Sequence, residues 1–286
     1  MKRSQFIQSV ALGALSVGLG DVFAQSKKPK NFAMQLFSVR DAVAKDLEGT
    51  LRKLRSIGYN QLEIYGYNGT FFGKTPKEFK TILANTDMKV ISSHHVSGYG
   101  MKMKGSLQDN WKQTVDDLAA IDAKYMGCSY LFPNERTNEI YTALPDLLNS
   151  CGEVTKGSGI QFIYHNHEFE FEKFGDTLAY DHLLNKTDAN LVKMELDLYW
   201  IYKAGKDPLA YFDKYPGRFP LWHVKDMSTA GEITEVGNGT IDFAKIFAAR
   251  KKAGLKHWFV EQDISKGDIF ESLKSSHQFL SSQKYS

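Results

Sequence analysis

From Phe32 onward, short apolar runs alternate with longer stretches of helical periodicity. The first run is Phe32–Phe37, followed by Leu47, Leu51, Leu54 and Ile57 at helical spacing, with Gly58 placed as a C-terminal cap. The pattern then repeats. Runs at Leu62–Tyr65, Lys89–Ser92, Ser129–Phe132, Ile160–His167, Val192–Leu198, Pro220–Val224 and His257–Glu261 alternate with predicted helices at Pro76–Ala84, Leu107–Lys124, Tyr141–Lys156, Leu178–Leu184, Asp207–Tyr215 and Asp242–Ala253; Phe270–Leu280 closes the chain. Gly127 and Gly159 read as punctuation before the fourth and fifth runs. One polar residue marks each run: Gln35, Glu63, His94, Tyr130, His165, Asp197, His223 and Glu261, in steps of 26 to 38 residues. Eight strand–helix units of about thirty residues predict an α/β fold, a single (β/α)8 TIM barrel. An open doubly wound sheet would place a glycine-rich phosphate turn after the first strand, and Ala33-Met-Gln-Leu-Phe-Ser-Val-Arg-Asp41 has none.

The N-terminus departs from this rhythm. Lys2 and Arg3 precede an apolar, small-residue stretch from Val10 to Leu19, and Val22-Phe23-Ala24 resembles a cleavage site. Residues 1–25 therefore read as a signal peptide, too short to span a membrane, and the expected location is secreted or periplasmic. The barrel is assigned to residues 30–286, about 255 residues, enough for one large core. No other apolar run reaches membrane length. The formal charge of +3 is spread without a basic run, so nucleic acid is not an expected partner. Cys128 and Cys151 are the only cysteines. Their pairing is open, and two buried thiols are the preferred reading.

The run Ile160–Phe171, IQFIYHNHEFEF, carries the densest chemistry. As a strand through His167 it would put Ile163, His165 and His167 on one face. Buried imidazoles need a carboxylate, a carbonyl or a metal. His-Asn-His also names a nuclease signature, but three letters are weak evidence. Barrel catalysis occurs at the C-terminal ends of strands, and seven of the eight runs end in polar residues: Gln35, Glu63, His94 and His95, His165 and His167, Asp197, His223 and Lys225, and Glu261. The His, Asp and Glu side chains are N and O donors suited to Mn, Fe, Co, Zn or, with several carboxylates, Mg. No cysteine joins them, which argues against a structural zinc site. Glu195 shares the parity of Asp197 and either points inward one layer deeper or orients a ligand. Tyr199, Trp200 and Trp222 are candidate flat walls for a sugar, or ordinary packing. In Glu235–Phe243, EVGNGTIDF, Gly237 and Gly239 free the backbone and Thr240 or Asp242 caps the next helix. A phosphate grip is one reading of this loop; a tight turn is preferred.

Six motifs, MQLFSVRD, YHNHEFEF, ELDLYWIYKAGKDP, WHVKDM, EVGNGTIDF and VEQD, in this order and spacing, are similar to those of the xylose isomerase-like TIM barrels. That superfamily includes sugar isomerases and epimerases, inosose dehydratase and endonuclease IV. The chain most resembles its secreted sugar phosphate isomerase/epimerase branch and the inosose dehydratases. The resemblance implies a divalent ion (Mn, Co, Zn or Mg) at the ends of strands five to eight, with Asp197, His223 and Glu261 on ligand positions. The fifth-strand ligand of the epimerases is a glutamate; here the matching place holds His165, with His167 beside it. This departs from a two-glutamate epimerase and is closer to inosose dehydratases, which carry a histidine cluster there.

The implied substrate is a small carbohydrate or cyclitol, and family members are often homo-oligomers. The implied chemistry is isomerisation or epimerisation through an enediolate, with dehydratase or lyase action, including elimination from a 3-keto-glycoside, as the alternative. A non-catalytic carbohydrate-binding barrel is a further alternative. His167 or His165 is the expected base and Glu261 the alternative base; Lys225 is placed to stabilise an oxyanion. Glu63, His94, His95, Gln35 and Trp200 are the expected substrate contacts.

Overall fold

The computed structural model describes residues 31–283 and residue 285. The expected signal peptide lies outside the described residues. Eight parallel strands form a closed barrel: β1 (Ala33–Gln35), β2 (Gln61–Ile64), β3 (Lys89–Val96), β4 (Tyr125–Tyr130), β5 (Gln161–His165), β6 (Val192–Asp197), β7 (Leu221–Val224) and β8 (His257–Val260). Each strand pairs with its chain neighbour, and β8 closes on β1 through Ala33–Phe259 and Met34–Val260.

The larger apolar core lies between the barrel and its helices, where residues such as Leu62, Phe162, Met194 and Trp222 are fully buried. A smaller cluster, Ala33, Ile91, Ile163, Leu221 and Phe259, is a separate set contributed by the strands β1, β3, β5, β7 and β8. Two residues further along several of these strands, the same face presents Gln35, His165, His223 and Glu261. Period-two alternation therefore places an apolar plug beneath a polar layer.

Helix boundaries follow local capping chemistry. Leu47–Ile57 is helical as expected, started by Asp46, whose carboxylate accepts the Gly49 N–H at 3.0 Å, and ended at Gly58. Thr75 and Glu78 form a reciprocal capping box on Pro76–Asn85. Four expectations need correction. The fourth strand is Tyr125–Tyr130, not Ser129–Phe132, and Gly127 lies inside it, where an added Cβ would collide with the Ile163 carbonyl of β5. The following helix pattern of the third unit begins at Trp111, because residues 97–110 form a loop that walls the barrel mouth. The single helix expected at Asp242–Ala253 is two, Phe243–Ala248 and Arg250–Ala253. The strand expected to run through His167 ends at His165, so His167 stands in the loop beyond β5. No helix among the described residues is long and apolar enough to cross a membrane. Both cysteines are free and buried.

Candidate metal centre and active site

β3 brings two consecutive histidines to different sides of the sheet. Its pairing with β2 skips a residue, Val90 aligning with Leu62 and Ser92 with Glu63. This bulge lets Ile91 join the inner plug while His94, three residues on, also reaches the barrel axis. His95 takes the other direction. Its ring packs edge-on against Trp111, its Nδ1 lies 2.8 Å from the Gly105 carbonyl, and burial lowers its pKa to about 4.

The polar layer divides into two groups that meet at His223. In the inner group, His94 Nε2 lies 2.6 Å from Glu195 Oε2 and 3.0 Å from Glu63 Oε2. His223 Nε2 lies 2.6 Å from Glu63 Oε2 and 3.4 Å from Glu195 Oε2, and His165 Nδ1 lies 3.3 Å from Glu195 Oε2. Gln35 donates to Glu63 Oε2 at 2.8 Å, while its carbonyl oxygen accepts the Phe37 N–H. Glu63, Glu195 and His223 are fully buried. Burial opposes ionisation here, but the carboxylates and imidazoles overcome it together. Glu63 is held well below the usual carboxylate range and Glu195 is lowered to about 2, while His94 rises to about 9 and His223 well above an ordinary histidine. His165 goes the other way, kept neutral by burial and the neighbouring His223.

The outer group is built around an ammonium. Lys225 Nζ lies 3.2 Å from Asp197 Oδ2, 2.7 Å from Glu261 Oε2 and 2.8 Å from Asp263 Oδ2, and the side chain is 1% exposed. His223 Nδ1 completes the group, 2.8 Å from Glu261 Oε2. Asp197 also serves the backbone, since its Oδ1 accepts the Trp200 N–H at 2.9 Å and caps the helix Leu198–Lys203. Burial raises Asp197 to about 6 against the pull of Lys225. Glu261 is held far below its ordinary value because Lys225 and His223 together outweigh burial, and Lys225 is held far above its own by the three carboxylates.

Above this layer opens a cavity of about 650 Å³. His94, His165, Lys225 and Glu261 reach it from the polar layer, and Phe37, Tyr65, Tyr130, Phe132, Phe169 and Trp200 supply aromatic wall. His167 lines the wall with its ring parallel to Phe169 and tilted against Trp200. The backbone N–H of His167 donates to Glu170, a fully buried carboxyl that also accepts from the Tyr164 hydroxyl and that burial raises to about 7. Burial and Lys225 lower His167 to about 3, so its ring is neutral with an unpartnered Nδ1. Gln35 and Glu63 sit beneath the wall rather than on it, whereas His94, His95 and Trp200 line it.

Of the expected ligands, Asp197, His223 and Glu261 converge, and a separate convergence joins His165 and His223 to His94 and Glu195. In each set the ligating atoms lie within 4.8 Å of one another. Buried atoms without a hydrogen-bond partner occur in both groups: Glu63 Oε1, Glu195 Oε1 and His165 Nδ1 in the inner one and Asp197 Oδ2 in the outer one. These N and O donors fit a divalent cation. Glu195 was legible by parity; Asp263, two after Glu261, had the same signal and was missed. Glu170 and Arg136, whose guanidinium lies 3.6 Å over the Phe169 ring, carried no periodic signal.

The loop Glu235–Phe243 is a tight turn, and its amide groups are taken internally. Asp226 accepts from the N–H groups of Met227, Gly237, Gly239 and Ile241 at 2.8–3.3 Å. Any Cβ at Gly239 would collide with that carboxylate. Asp242 caps the next helix.

A closed eight-stranded parallel barrel with a histidine–carboxylate layer at its C-terminal mouth defines the class, and the family model of the xylose isomerase-like TIM barrel matches residues 51–282, so the chain belongs to that family. An inosose dehydratase from Lacticaseibacillus casei is 25% identical over 260 residues, spanning 77% of this chain and 87% of the relative. The crystal structure of a sugar phosphate isomerase/epimerase from Parabacteroides distasonis superimposes with a TM-score of 0.80 at 27% identity, covering 93% of this chain and 98% of the other. An IolI protein with a bound zinc atom shares the fold at 14% identity and a TM-score of 0.68, covering 88% of this chain and 96% of that one.

Proposed function

We propose that this protein is a divalent-metal-dependent enzyme of isomerase or epimerase type that removes the proton α to a carbonyl of a keto-sugar or cyclitol. The observation that carries the reading is the buried histidine–carboxylate layer lying under an aromatic-walled cavity at the C-terminal ends of the strands. The donors that would hold the ion are His223 with either His94, His165 and Glu195 or Asp197 and Glu261. A divalent ion bound there supplies Lewis-acid polarisation of the substrate carbonyl. His167 and Glu261 are the proton acceptors on the cavity wall, one a neutral imidazole and one an ionised carboxylate. Lys225 presents a fixed positive charge to oxygen that gains charge as the proton leaves. Trp200 and Phe169 flank His167 and offer apolar faces to a sugar ring. The internal occupation of the Glu235–Phe243 amides by Asp226 favours an unphosphorylated substrate.

A second reading, dehydration or β-elimination after the same proton abstraction, is supported by the histidine pair in place of an epimerase glutamate on β5 and by the likeness to inosose dehydratase. The basic start and apolar stretch before residue 25 support export, so we place the reaction outside the cytoplasm; N-terminal sequencing of the protein recovered from a periplasmic fraction tests this.

Proton exchange into D2O, followed by NMR with ketoses, inososes and 3-keto-glucosides, tests the function. The expected result is ion-dependent exchange at the carbon next to the carbonyl. An epimerised or isomerised product marks the first reading and a new unsaturated ketone the second. Binding of these compounds with no exchange in any metal form overturns both and leaves a carbohydrate-binding barrel.

A further inference from the structure

The cavity wall carries two fixed cations from separate parts of the ring. Lys225 stands at the end of β7 and Arg136 in the loop after β4, three strands away in the closed order. Their charges are met differently. Lys225 is neutralised by Asp197, Glu261 and Asp263. Arg136 forms no ion pair among the described residues; its Nε donates to the Leu131 carbonyl at 3.0 Å and one terminal nitrogen donates to the Tyr130 hydroxyl at 2.8 Å. Two acids beyond β5 are placed to balance it, and neither pairs with it. Glu168 lines the same cavity, but its Oε2 has no hydrogen-bond partner and its charge acts on Lys203. Glu170 feels Arg136 at a distance, yet it is fully buried and its oxygens hold the His167 N–H and the Tyr164 hydroxyl.

The guanidinium is nevertheless fixed in place. It lies 3.6 Å from the centroid of the Phe169 ring, and Phe169 in turn lies parallel to the ring of His167. Stacking occupies a face of the guanidinium and leaves its edge, where the N–H groups point, for other partners. A guanidinium has five N–H donors, and only two are spent on Leu131 and Tyr130. The Tyr130 hydroxyl accepts from Arg136 and keeps its own proton to give; no acceptor for that proton occurs among the described residues. A planar fork of donors beside a hydroxyl, on a partly buried and unbalanced cation, matches an anionic oxygen group brought by a ligand. A single guanidinium suits a carboxylate, which it grips through two parallel N–H···O bonds. A phosphate ordinarily draws amides of a glycine turn or helix N-terminus as well, and the amide-rich turn at Gly237–Ile241 is filled by Asp226.

We propose that the substrate is an acidic keto-sugar whose carboxylate is received by Arg136 and the Tyr130 hydroxyl on the β4 side of the cavity. Its carbonyl end then lies at the histidine–carboxylate layer. His167 stands beside the carboxylate subsite, its ring parallel to Phe169 and edge-on to Tyr130. The cavity of about 650 Å³ has room for a six-carbon chain between the two ends. Holding the substrate at both ends sets which α-proton meets the base. The inference rests on the proposed α-proton chemistry and names the class of substrate for that site, with Arg136 and Tyr130 as its specificity-determining residues.

Three probes that differ only at one terminal carbon test it: D-fructuronate, D-fructose and D-fructose 6-phosphate. Each is titrated by calorimetry into the purified full chain with Mn(II) at fixed ionic strength, and each is followed for proton exchange in D2O. The expected result is binding of D-fructuronate about 10- to 100-fold tighter than D-fructose. That preference should vanish in Arg136→Gln and return only in part in Arg136→Lys, which restores the charge without the fork. Tyr130→Phe keeps the ring and should also reduce the preference; it stands in should Arg136→Gln fail to fold, with circular dichroism as the check. If Arg136 only braces the wall, its loss weakens all three probes together and leaves the preference intact, which overturns the inference. Equal affinity for D-fructuronate and D-fructose, or binding of neither, overturns it too. So does tightest binding of D-fructose 6-phosphate, which makes the anion a phosphate. Arg136-dependent preference for D-fructuronate without exchange of any probe upholds the carboxylate subsite and counts against the proposed reaction; ion-dependent exchange that is indifferent to Arg136 does the reverse.

Discussion

His223 separates two collections of buried carboxylates that balance their charge by different means. On its Nε2 side, Glu63 and Glu195 face only imidazoles and the Gln35 amide. On its Nδ1 side, Asp197, Glu261 and Asp263 share the ammonium of Lys225. An ammonium on a buried, triply paired lysine is a fixed charge, and it makes the outer group electrostatically rigid. Imidazoles are conditional: each is a cation, a neutral donor or a ligand according to what occupies the site. The strand ends thus yield one group suited to hold field in place and another whose charge follows the state of its imidazoles.

The largest effect is expected where the two groups join. His223→Ala removes a donor from both, leaves Glu63 and Glu261 without their 2.6 and 2.8 Å partners, and opens a hole in a fully buried layer. α-Proton exchange should fall by at least about 10³-fold, the scale of losing several kcal/mol of transition-state stabilisation, and bound metal should fall with it. Retention of more than a tenth of the exchange rate would mean that His223 bridges nothing essential.

Lys225→Met separates the groups. Removing one partner of a buried ionic cluster costs about 3–5 kcal/mol, so thermal stability should drop sharply at neutral pH. The deficit depends on pH. Burial raises Asp197 in the folded state to about 6, above its unfolded value, so its contribution to stability is fully present below the unfolded pKa and is lost as pH rises through 6. Without the ammonium that group rises further, and the gap between variant and parent should be wider at pH 8 than at pH 5. Melting temperatures measured across that range check it; a gap that is constant or widens toward acid removes Asp197 from the argument.

A third carboxyl, Glu170, has neither solution and is held nearer neutrality. Burial raises it to about 7 in the folded state, so ionisation above that pH works against folding. Stability from this group is full below its unfolded pKa and is lost as pH rises through 7. Glu170→Gln keeps the shape without the charge. Relative to parent it should gain on the order of 3 kcal/mol between pH 5 and pH 8, read as a flatter dependence of melting temperature on pH. A parallel dependence in the two proteins would mean that Glu170 does not titrate in this window.

The contrast between the two groups was partly visible in the sequence, and the residues explain where it was not. Eight apolar runs at regular steps expose a barrel because each strand must cover one face with apolar residues, and the polar residue closing each run exposes the mouth. Asp197, His223 and Glu261 were legible on that ground. His94 and Glu195 were visible as polar positions on inward faces, yet their place in one cluster depends on the β3 bulge, which breaks the period of two and leaves no trace in composition. Glu170 and Asp226 act through backbone N–H groups of loops, and a loop's path is set by contacts far apart in sequence. The amide-rich turn at Gly237–Ile241 had the sequence of an anion site; the anion is the chain's own Asp226.

The finest test of the outer group is Asp263→Asn. Asp263 is the rim member of the three carboxylates, 24% exposed where Asp197 is fully buried and Glu261 only 7% exposed. If the ion pairs of Lys225 with Asp197 and Glu261 hold the ammonium in place, the Asp263 charge is dispensable, and asparagine keeps an oxygen acceptor for the hydrogen that Lys225 donates to Asp263. Water reaches the rim and screens what charge is lost. The expected change in stability is within about 1 kcal/mol, the range of exposed ion pairs, with α-proton exchange within a few-fold of the parent. A loss as large as that of Lys225→Met would show that all three carboxylates are needed to keep the ammonium buried. The outer group would then be a balanced set of four charges rather than a buried pair with a solvated neighbour, and the distinction from the inner group would lie in geometry more than in charge.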